Sequence, residues 1–424
     1  MVSSLIRVVF GILNKKHLEV AYSFGHSVLS RSSPLLVSLI AARFLSEQQF
    51  GGFSIVLAIL ASVASVSASG VGVVCNKETS EKYQANPEYV VTLLVFTVGL
   101  CCALSMFFAL CFSFYYDADE RFAGVWRYAY LFFVSFMMTS VGAVEGFLYG
   151  LKKYRPVFIF SFIVFFFSVF SSIFLVVIYG FFGALLAIFL FRLFQVFLLC
   201  SYVSSIVSVG FRLKNIAVYY EDIKRNLVGM NLPLAGAALL AAPTTAIAMI
   251  YLGQHAGLDE VAKFGLAYQF FLVAIFPPTA LGQYLISRLT GSQLNKKNML
   301  LKSAKIMFAY GFLAFGIMQA IPWVSSFLSL SVNIDSELVF ALGGAALVYS
   351  VAVCFGMFWS SLGRGRVIFY GQVGWVFGLS MVSMLVVNGL GAVGLGYGFL
   401  AAALMQLLIY IFCYLSLLEQ NRGL

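Results

Sequence analysis

The chain has 424 residues, of which 62% are hydrophobic and only 10% are charged, and its formal net charge is +10. A soluble globule of this length cannot bury so much apolar surface, so the composition excludes an ordinary water-soluble protein. A basic excess is also a mark of nucleic-acid binding, but the positions of these basic residues favour a different origin, and we expect no nucleic-acid partner.

Twelve long apolar runs fill the sequence. Each is close to the length of about 20 residues that a helix needs to cross the hydrocarbon core of a bilayer. In chain order the runs lie near 19–45, 50–74, 88–116, 122–148, 156–178, 180–208, 226–252, 261–287, 303–330, 336–362, 366–388 and 391–417. The sequence therefore predicts an all-α polytopic membrane protein with about 12 transmembrane helices. Because the first run is long and is followed at once by another, we expect no cleavable signal peptide.

The Lys and Arg residues collect in every second gap between the runs. Most lie in the N-terminal segment, the even-numbered gaps and the C-terminus, whereas the opposite gaps carry acidic residues such as Glu47, Asp259, Glu260 and Asp335. Cytoplasmic loops of membrane proteins are enriched in Lys and Arg. The pattern predicts that both termini are cytoplasmic and explains the basic excess as membrane topology.

The two halves of the chain resemble each other. A shift of 211 residues places Gly180 and Gly183 on Gly391 and Gly394, at tight turns before the sixth and twelfth runs. Such parallel repeats are common in transporters. The predicted units are an N-terminal lobe of spans one to six (1–208), a cytoplasmic connection (209–225) and a C-terminal lobe of spans seven to twelve (226–424).

Polar residues inside the first span are the strongest sign of function. Ser27, Arg31 and neighbouring serines lie on one side of the predicted helix. Small residues often serve helix packing in membranes, but a charge near the bilayer centre costs at least about 2.5 kcal/mol. We therefore expect Arg31 to face an aqueous cavity and to bind an anion, and the planar guanidinium group of arginine is well suited to phosphate.

Other charged residues at depth allow two interpretations each. Glu145 is the only deep acidic candidate, and near the cytoplasmic end of span four it is either the partner of Lys152 and Lys153 or a helix-end residue, rather than the counter-ion of Arg31. Arg192 in span six either binds substrate or bonds to the carbonyl groups of a broken neighbouring helix.

Lys263 and His26 are similarly open. Lys263, at the entrance of span eight, is either a cation at the mouth of the cavity or the partner of Asp259 four residues earlier. His26 could titrate near neutral pH, but a packed, neutral histidine is the preferred interpretation.

Prolines suggest a transport pathway. Pro34 lies in the first span, and Pro233 and Pro243 lie in the seventh, which is the opening span of the second half. Proline breaks or kinks helices and frees carbonyl groups, so both opening helices are predicted to be interrupted. The sequence contains no Walker motif, no metal-binding histidine cluster and no nucleophile elbow. We expect no enzyme activity, no cofactor and no metal.

Two segments resemble a known family. Residues 42–54 (ARFLSEQQFGGFS) and 146–154 (GFLYGLKKY) are similar to the segment joining the first two spans and the loop after span four in O-antigen repeat-unit flippases. These flippases form part of the polysaccharide-transport branch of the multidrug/oligosaccharidyl-lipid/polysaccharide exporter superfamily. The likeness covers essentially the whole chain.

The resemblance implies two six-helix lobes around a central cavity that is lined by the first two helices of each lobe. It implies a transporter of the bacterial inner membrane that moves an undecaprenyl-pyrophosphate-linked oligosaccharide from the cytoplasmic to the periplasmic leaflet by alternating access. Arg31, with Ser27, Arg192 and Lys263, would then bind the substrate. Other membrane proteins of polysaccharide and lipopolysaccharide assembly would be its partners, together with the bilayer.

Two other functions remain open. A cation-coupled multidrug exporter of the same superfamily would have a similar fold, but it usually needs a buried carboxylate, whereas the candidates in this cavity are basic. A polysaccharide polymerase or ligase would have a similar number of spans, but we expect it to carry a long outer loop with catalytic basic residues.

Overall fold

The computed structural model of the chain describes residues 15–69, 71–115, 124–207, 213–279, 296–362 and 364–420, which are helical apart from short turns. The helices are α1 (Lys15–Phe44), α2 (Glu47–Ser69), α3 (Val71–Lys82), α4 (Pro87–Tyr115), α5 (Val125–Gly150), α6 (Tyr154–Ile206), α7 (Leu213–Ala256), α8 (Leu258–Ala274), α9 (Lys296–Gln319), α10 (Ile321–Phe327), α11 (Ser336–Ser361) and α12 (Gly365–Gln420). Residues 280–287 of the predicted eighth span lie outside the described ranges.

Two of these helices are long enough to cross a bilayer twice. α6 has 53 residues and α12 has 56, which at 1.5 Å per residue corresponds to about 80 Å of helix. Each is bent at a glycine with a positive φ, Gly180 (φ 55°, ψ −128°) in α6 and Gly391 (φ 53°, ψ −128°) in α12. Each therefore contains two of the predicted spans joined by a one-residue bend.

The two bends are packed in the same way. A Cβ atom added to Gly183 would lie 1.9 Å from the carbonyl oxygen of Leu175, and one added to Gly394 would lie 2.9 Å from that of Val386. Both glycines and both carbonyl groups are 211 residues apart, the spacing of the repeat in the sequence. Only glycine allows the arms of each bend to approach so closely.

Seven helices of the described ranges are long and apolar enough to cross a membrane, and α6 and α12 are among them. Serine, histidine and arginine residues are interspersed in the apolar sequence of α1. The predicted class, an all-α polytopic membrane protein, is confirmed.

The helices pack in two groups. α1 contacts α6, and α5 contacts α2, α3, α4 and α6; in the second group α11 contacts α9 and α12, and α12 contacts α7. The groups meet where α1 and α2 pack against α8, and α2 against α7. The first helices of each half thus form the boundary between the groups, while the exact lobe limits stay a prediction.

The predicted interruptions of the opening helices are wrong. α1 continues through Pro34, and α7 continues through Pro233 and Pro243. In an apolar environment the backbone groups next to a proline have no water to bond, so the remaining helical hydrogen bonds are retained. The breaks in the described helices occur at Gly180 and Gly391 instead.

The connection between the halves is also helical from residue 213 onward. It forms the first turns of α7, and its Tyr219 ring lies edge-on to Tyr89 at 5.4 Å, with its hydroxyl 3.3 Å from the side-chain nitrogen of Asn86. Ile223 is fully buried in the same cluster. The connection is therefore docked on the first helix group through one face, while its charged side chains Glu221, Asp222 and Lys224 are exposed.

Candidate functional site

A cavity lies between the two helix groups and is lined by residues of α1, α2, α5, α6 and α8. It has about 740 Å³ of empty space, including open solvent at its mouth. Val37, Leu60 and Ile188 give it an apolar wall. Ser30 and Gln269 add polar groups to the lining. Because Ser30 is exposed whereas Val37, two turns further along α1, is buried, the cavity narrows toward the C-terminal end of α1.

The cavity is closed at that end by direct contact between α2 and the second helix group. A Cβ atom on Gly51 would lie 2.0 Å from the carbonyl oxygen of Leu258, and one on Gly265 would lie 2.4 Å from the hydroxyl of Ser54. Phe50 and Phe264 are fully buried beside these contacts. The backbones touch because glycine occupies each point of crossing.

Polar contacts tie the same end together. The Arg43 guanidinium donates a hydrogen bond to the carbonyl of Leu328, which ends α10. Ser331 donates its backbone N–H to the carbonyl of Ala42 at 3.0 Å, and its hydroxyl contacts the carbonyls of Ala42 and Leu45. These contacts join the end of α1 to the segment between α10 and α11, and we name them the interlobe latch.

Arg192 faces the cavity and begins a chain of polar side chains that leads into the first helix group. Its Nη1 donates to Gln195 Oε1 at 2.8 Å, and Gln195 Nε2 donates to Glu145 Oε1 at 3.2 Å. The other carboxylate oxygen of Glu145 lies 3.5 Å from His26 Nε2, and His26 Nδ1 lies 2.6 Å from Ser161 Oγ. We name these five residues the polar chain.

The polar chain corrects two sequence-based assignments. Glu145 is paired with His26, whereas the side chains of Lys152 and Lys153 are exposed. Arg192 bonds to a side-chain amide one turn away on its own helix, and not to the carbonyl groups of a broken neighbour. The rotation of α5 points Glu145 toward α1 and α6, and this direction could not be predicted from the sequence. His26, as expected, is buried and packed.

The remaining serines of α1 have different partners. Ser27 donates to the carbonyl of Ser23 on its own helix at 3.0 Å, and Ser33 lies 2.7 Å from the hydroxyl of Ser168 on α6. Ser30, one turn beyond Ser27, is the one that lines the cavity. The main chain of Arg31 is helical, but its side chain lies outside the described part of the structure, so its contact with an anion stays a prediction.

Lys263 lies at the closed end, close to the interlobe latch. Its Nζ is 2.7 Å from Glu260 and 3.8 Å from Asp335, so its partners are these residues and not Asp259. The second carboxylate oxygen of Glu260 accepts the N–H of Ala392, directly after the bend of α12. The structure thus assigns Lys263 an ion pair away from the cavity wall formed by Arg192.

Arg192 places a positively charged group at the wall of the cavity. In the described part of the chain the Nε of Arg192 is buried and has no hydrogen-bond partner. Its guanidinium stacks on the ring of Phe191, with the guanidinium carbon 4.8 Å from the ring centroid. A charged donor group with an unused N–H at an otherwise apolar wall is suited to bind an anionic group.

The fold can be compared with solved structures. The chain is similar to an inward-facing multidrug resistance MATE family transporter of the MOP superfamily, with 16% identity, a TM-score of 0.72, and 94% of this chain and 96% of that chain covered. It is also similar to the lipid II flippase MurJ in an inward closed conformation, with 12% identity, a TM-score of 0.72, and 94% and 87% covered.

A third similar structure is a MOP superfamily transporter from Pyrococcus furiosus, described by the reverse polarity of its binding pocket, with 14% identity, a TM-score of 0.61, and 93% and 95% covered. No family model matches the sequence, and no curated protein matches it. The chain therefore has the fold of MOP superfamily transporters, as predicted, and is a multi-pass membrane protein. At these identities the likeness establishes the fold alone.

Proposed function

We propose that the protein is a flippase for a lipid-linked oligosaccharide, an O-antigen repeat unit carried on undecaprenyl pyrophosphate. The observation that carries this proposal is the cavity between the helix groups, in which Arg192 presents a buried, unused N–H beside an apolar wall. A substrate with a diphosphate group between sugars and a hydrocarbon chain matches both parts of this surface.

The polar groups of the cavity suit the sugars of the substrate. Apart from the open solvent at its mouth, the cavity has a volume of about 150 Å³, below the range of about 300–1,000 Å³ that is typical of small-molecule sites, so we expect it to widen when the head group enters. Ser30 and Gln269 offer hydrogen bonds to sugar hydroxyls, while Arg192 holds the pyrophosphate. Arg31, predicted from the sequence alone, would supply the second contact. The prenyl chain stays in the bilayer, so only the head group has to pass through the protein.

The topology and setting are part of the same proposal. Two lobes, 1–208 and 226–424, rock about the cavity by alternating access, with both termini in the cytoplasm of a bacterium and the substrate released on the periplasmic side. The protein makes no covalent change to its substrate and acts beside other membrane proteins of polysaccharide assembly. Support for the direction comes from the interlobe latch, which closes the end that carries few basic residues.

The test is complementation of a flippase-null strain. Wild type should restore surface polysaccharide, and Arg192→Gln and Arg31→Gln should lose it while reaching the membrane in normal amount. Arg155→Gln is the matched control, because Arg155 is exposed at the start of α6. If both cavity variants restore normal surface polysaccharide, the proposed anion site is wrong. If wild type fails to restore it with several different repeat units, the proposed flippase function is wrong.

Glu145 favours a second candidate, a cation-coupled multidrug exporter. Its carboxylate lies within the first helix group, with a side-chain exposure of 16%, and an exporter of this kind needs such a carboxylate. This function predicts that expression raises the resistance of a sensitive strain to cationic drugs and that Glu145→Gln abolishes the gain. Unchanged drug resistance in the presence of restored polysaccharide would exclude it.

A further inference from the structure

The contact between His26 and Glu145 contains a proton. Ser161 Oγ lies 2.9 Å from the carbonyl oxygen of Val157 and 2.6 Å from His26 Nδ1, and its single hydroxyl proton serves one of these two atoms. In the arrangement in which Ser161 donates to Val157, the bond between Ser161 Oγ and His26 Nδ1 is donated by Nδ1–H. With Nδ1 protonated, His26 Nε2 faces Glu145 Oε2 across 3.5 Å as one lone pair toward another unless a proton lies on one of them.

This proton can be carried by either partner. It makes the pair an imidazolium and a carboxylate, or a neutral imidazole and a carboxylic acid, and in both forms the pair has no net charge. Loss of the proton leaves a net negative charge on groups whose side chains are 7% and 16% exposed. Ionisable groups in such positions of membrane proteins serve proton transfer in many transporters.

Gln195 connects this pair to the cavity. Its carbonyl oxygen accepts from Arg192 and its amide nitrogen donates to Glu145, so the charge of the pair and the charge of Arg192 act on each other through one side chain. Among the described residues, Tyr149 on α5 lies next to the pair, with its ring 5.8 Å from that of His26. The Tyr154 ring on α6 lies 5.5 Å from that of Tyr149, and Glu19 on α1 lies near Tyr154. Arg31 is on the same helix as His26.

We propose that His26 and Glu145 form a proton-binding site whose occupancy is linked to the binding of an anionic diphosphate group at Arg192. The inference rests on the proposed function in one respect, the anion at Arg192. With the proton bound, the polar chain has a net charge of +1 from Arg192, and without it the net charge is zero. The anion therefore binds more tightly to the protonated form, and by linkage its binding takes up a proton.

The direction of coupling follows from this sign. The affinity for the anion is highest at low pH and falls as the pair loses its proton. A purely structural polar chain would hold the same contacts but would show no such dependence.

The experiment measures binding of geranyl diphosphate to the purified full chain in detergent by isothermal titration calorimetry between pH 6 and pH 9. We expect the affinity of wild type to fall by about 5- to 150-fold more than that of Glu145→Gln, the range typical of coupled sites. Titration of the ligand itself affects both proteins equally and cancels in the comparison. Glu78→Gln is the matched control, because Glu78 is a buried carboxylate bonded to Tyr89 and Lys82.

Two further measurements keep the test decisive. Wild type titrated in two buffers of different ionisation enthalpy should take up a proton on binding beyond that of the ligand, which needs no variant. Gln195→Leu should weaken the pH dependence of binding, because the connection between Glu145 and Arg192 is lost. Equal pH dependence in wild type and Glu145→Gln would overturn the linkage alone, whereas absence of diphosphate binding by wild type would overturn the proposed function and the linkage together.

Discussion

Gly51 offers a direct test of how the cavity is closed. In Gly51→Ala the new Cβ would lie 2.0 Å from the carbonyl oxygen of Leu258, against 3.4 Å at which ordinary contact begins, so the two backbones must separate by about 1.4 Å. Overpacking of this kind costs about 1 to 3 kcal/mol. The cost falls on the contact between helix groups, so it disfavours the closed form rather than the fold of either group.

A cost of this size shifts the population of the closed form by about 5- to 150-fold. The assay is disulfide formation between Ala42→Cys and Ser331→Cys, whose backbone atoms are 3.0 Å apart in the latch, in a background without the seven native cysteines. Gly51→Ala should slow cross-linking strongly.

The control for this experiment is Gly99→Ala, because a Cβ atom on Gly99 meets no other described atom within 4 Å. It should leave the rate of cross-linking unchanged. If Gly51→Ala also leaves this rate unchanged, α2 and α8 do not form the closing contact.

Three other predictions concern the interlobe latch, a helix start and the two glycine bends. Arg43→Ala removes the hydrogen bond to the end of α10, and we expect about a 2- to 10-fold slower latch cross-link. Glu260→Gln weakens the charge at the helix start after the bend of α12 and should lower stability by about 1 kcal/mol, measured by thermal unfolding in detergent. Gly180→Ala and Gly391→Ala each force an L-residue to a positive φ at about 1 to 3 kcal/mol, and Gly391→Ala should be the worse because its Cβ also meets Glu260.

The changes at Glu260 and at the two glycine bends each have a comparison variant within the chain. Glu221→Gln at an exposed position should leave the melting temperature unchanged, and an equal effect of Glu221→Gln and Glu260→Gln would contradict the helix-end argument. Gly316→Ala, in open space on α9, is the comparison for the two bends. If Gly180→Ala lowers stability more than Gly391→Ala does, the contact with the Glu260 carboxylate does not determine the difference between the two bends. If Arg43→Ala leaves the rate of latch cross-linking unchanged, the cavity is closed by the contacts between α2 and α8 alone.

Much of the architecture could be predicted because the bilayer imposes strong rules. Apolar length located the spans, and the two glycines at a spacing of 211 residues marked bends that the structure repeats with nearly equal backbone angles. Glycine is informative at such points because few other residues can occupy a positive φ. The proline-based prediction failed because a proline in an apolar span has several local outcomes, and continuous helix is one of them.

The partners of the polar residues could not be predicted in the same way. Hydropathy states that Glu145 lies within a span, but its meeting with His26 and Gln195 depends on how α1, α5 and α6 are rotated against each other. The bond of Arg43 to Leu328 requires the second half of the chain to be in place. Pairings between distant segments are a property of the packed molecule.

The docking of the connection on the first helix group affects where the molecule can flex. Tyr219 and Ile223 anchor the start of α7 to that group, while the same uninterrupted helix continues to its contact with α12 in the second group. A rocking motion between the groups therefore cannot be absorbed by a slack loop within α7. It has to be taken up as curvature of a single rod, within the stretch that contains Gly229, Pro233 and Gly236, and the stiffness of that rod would then contribute to the rate at which the two halves exchange positions.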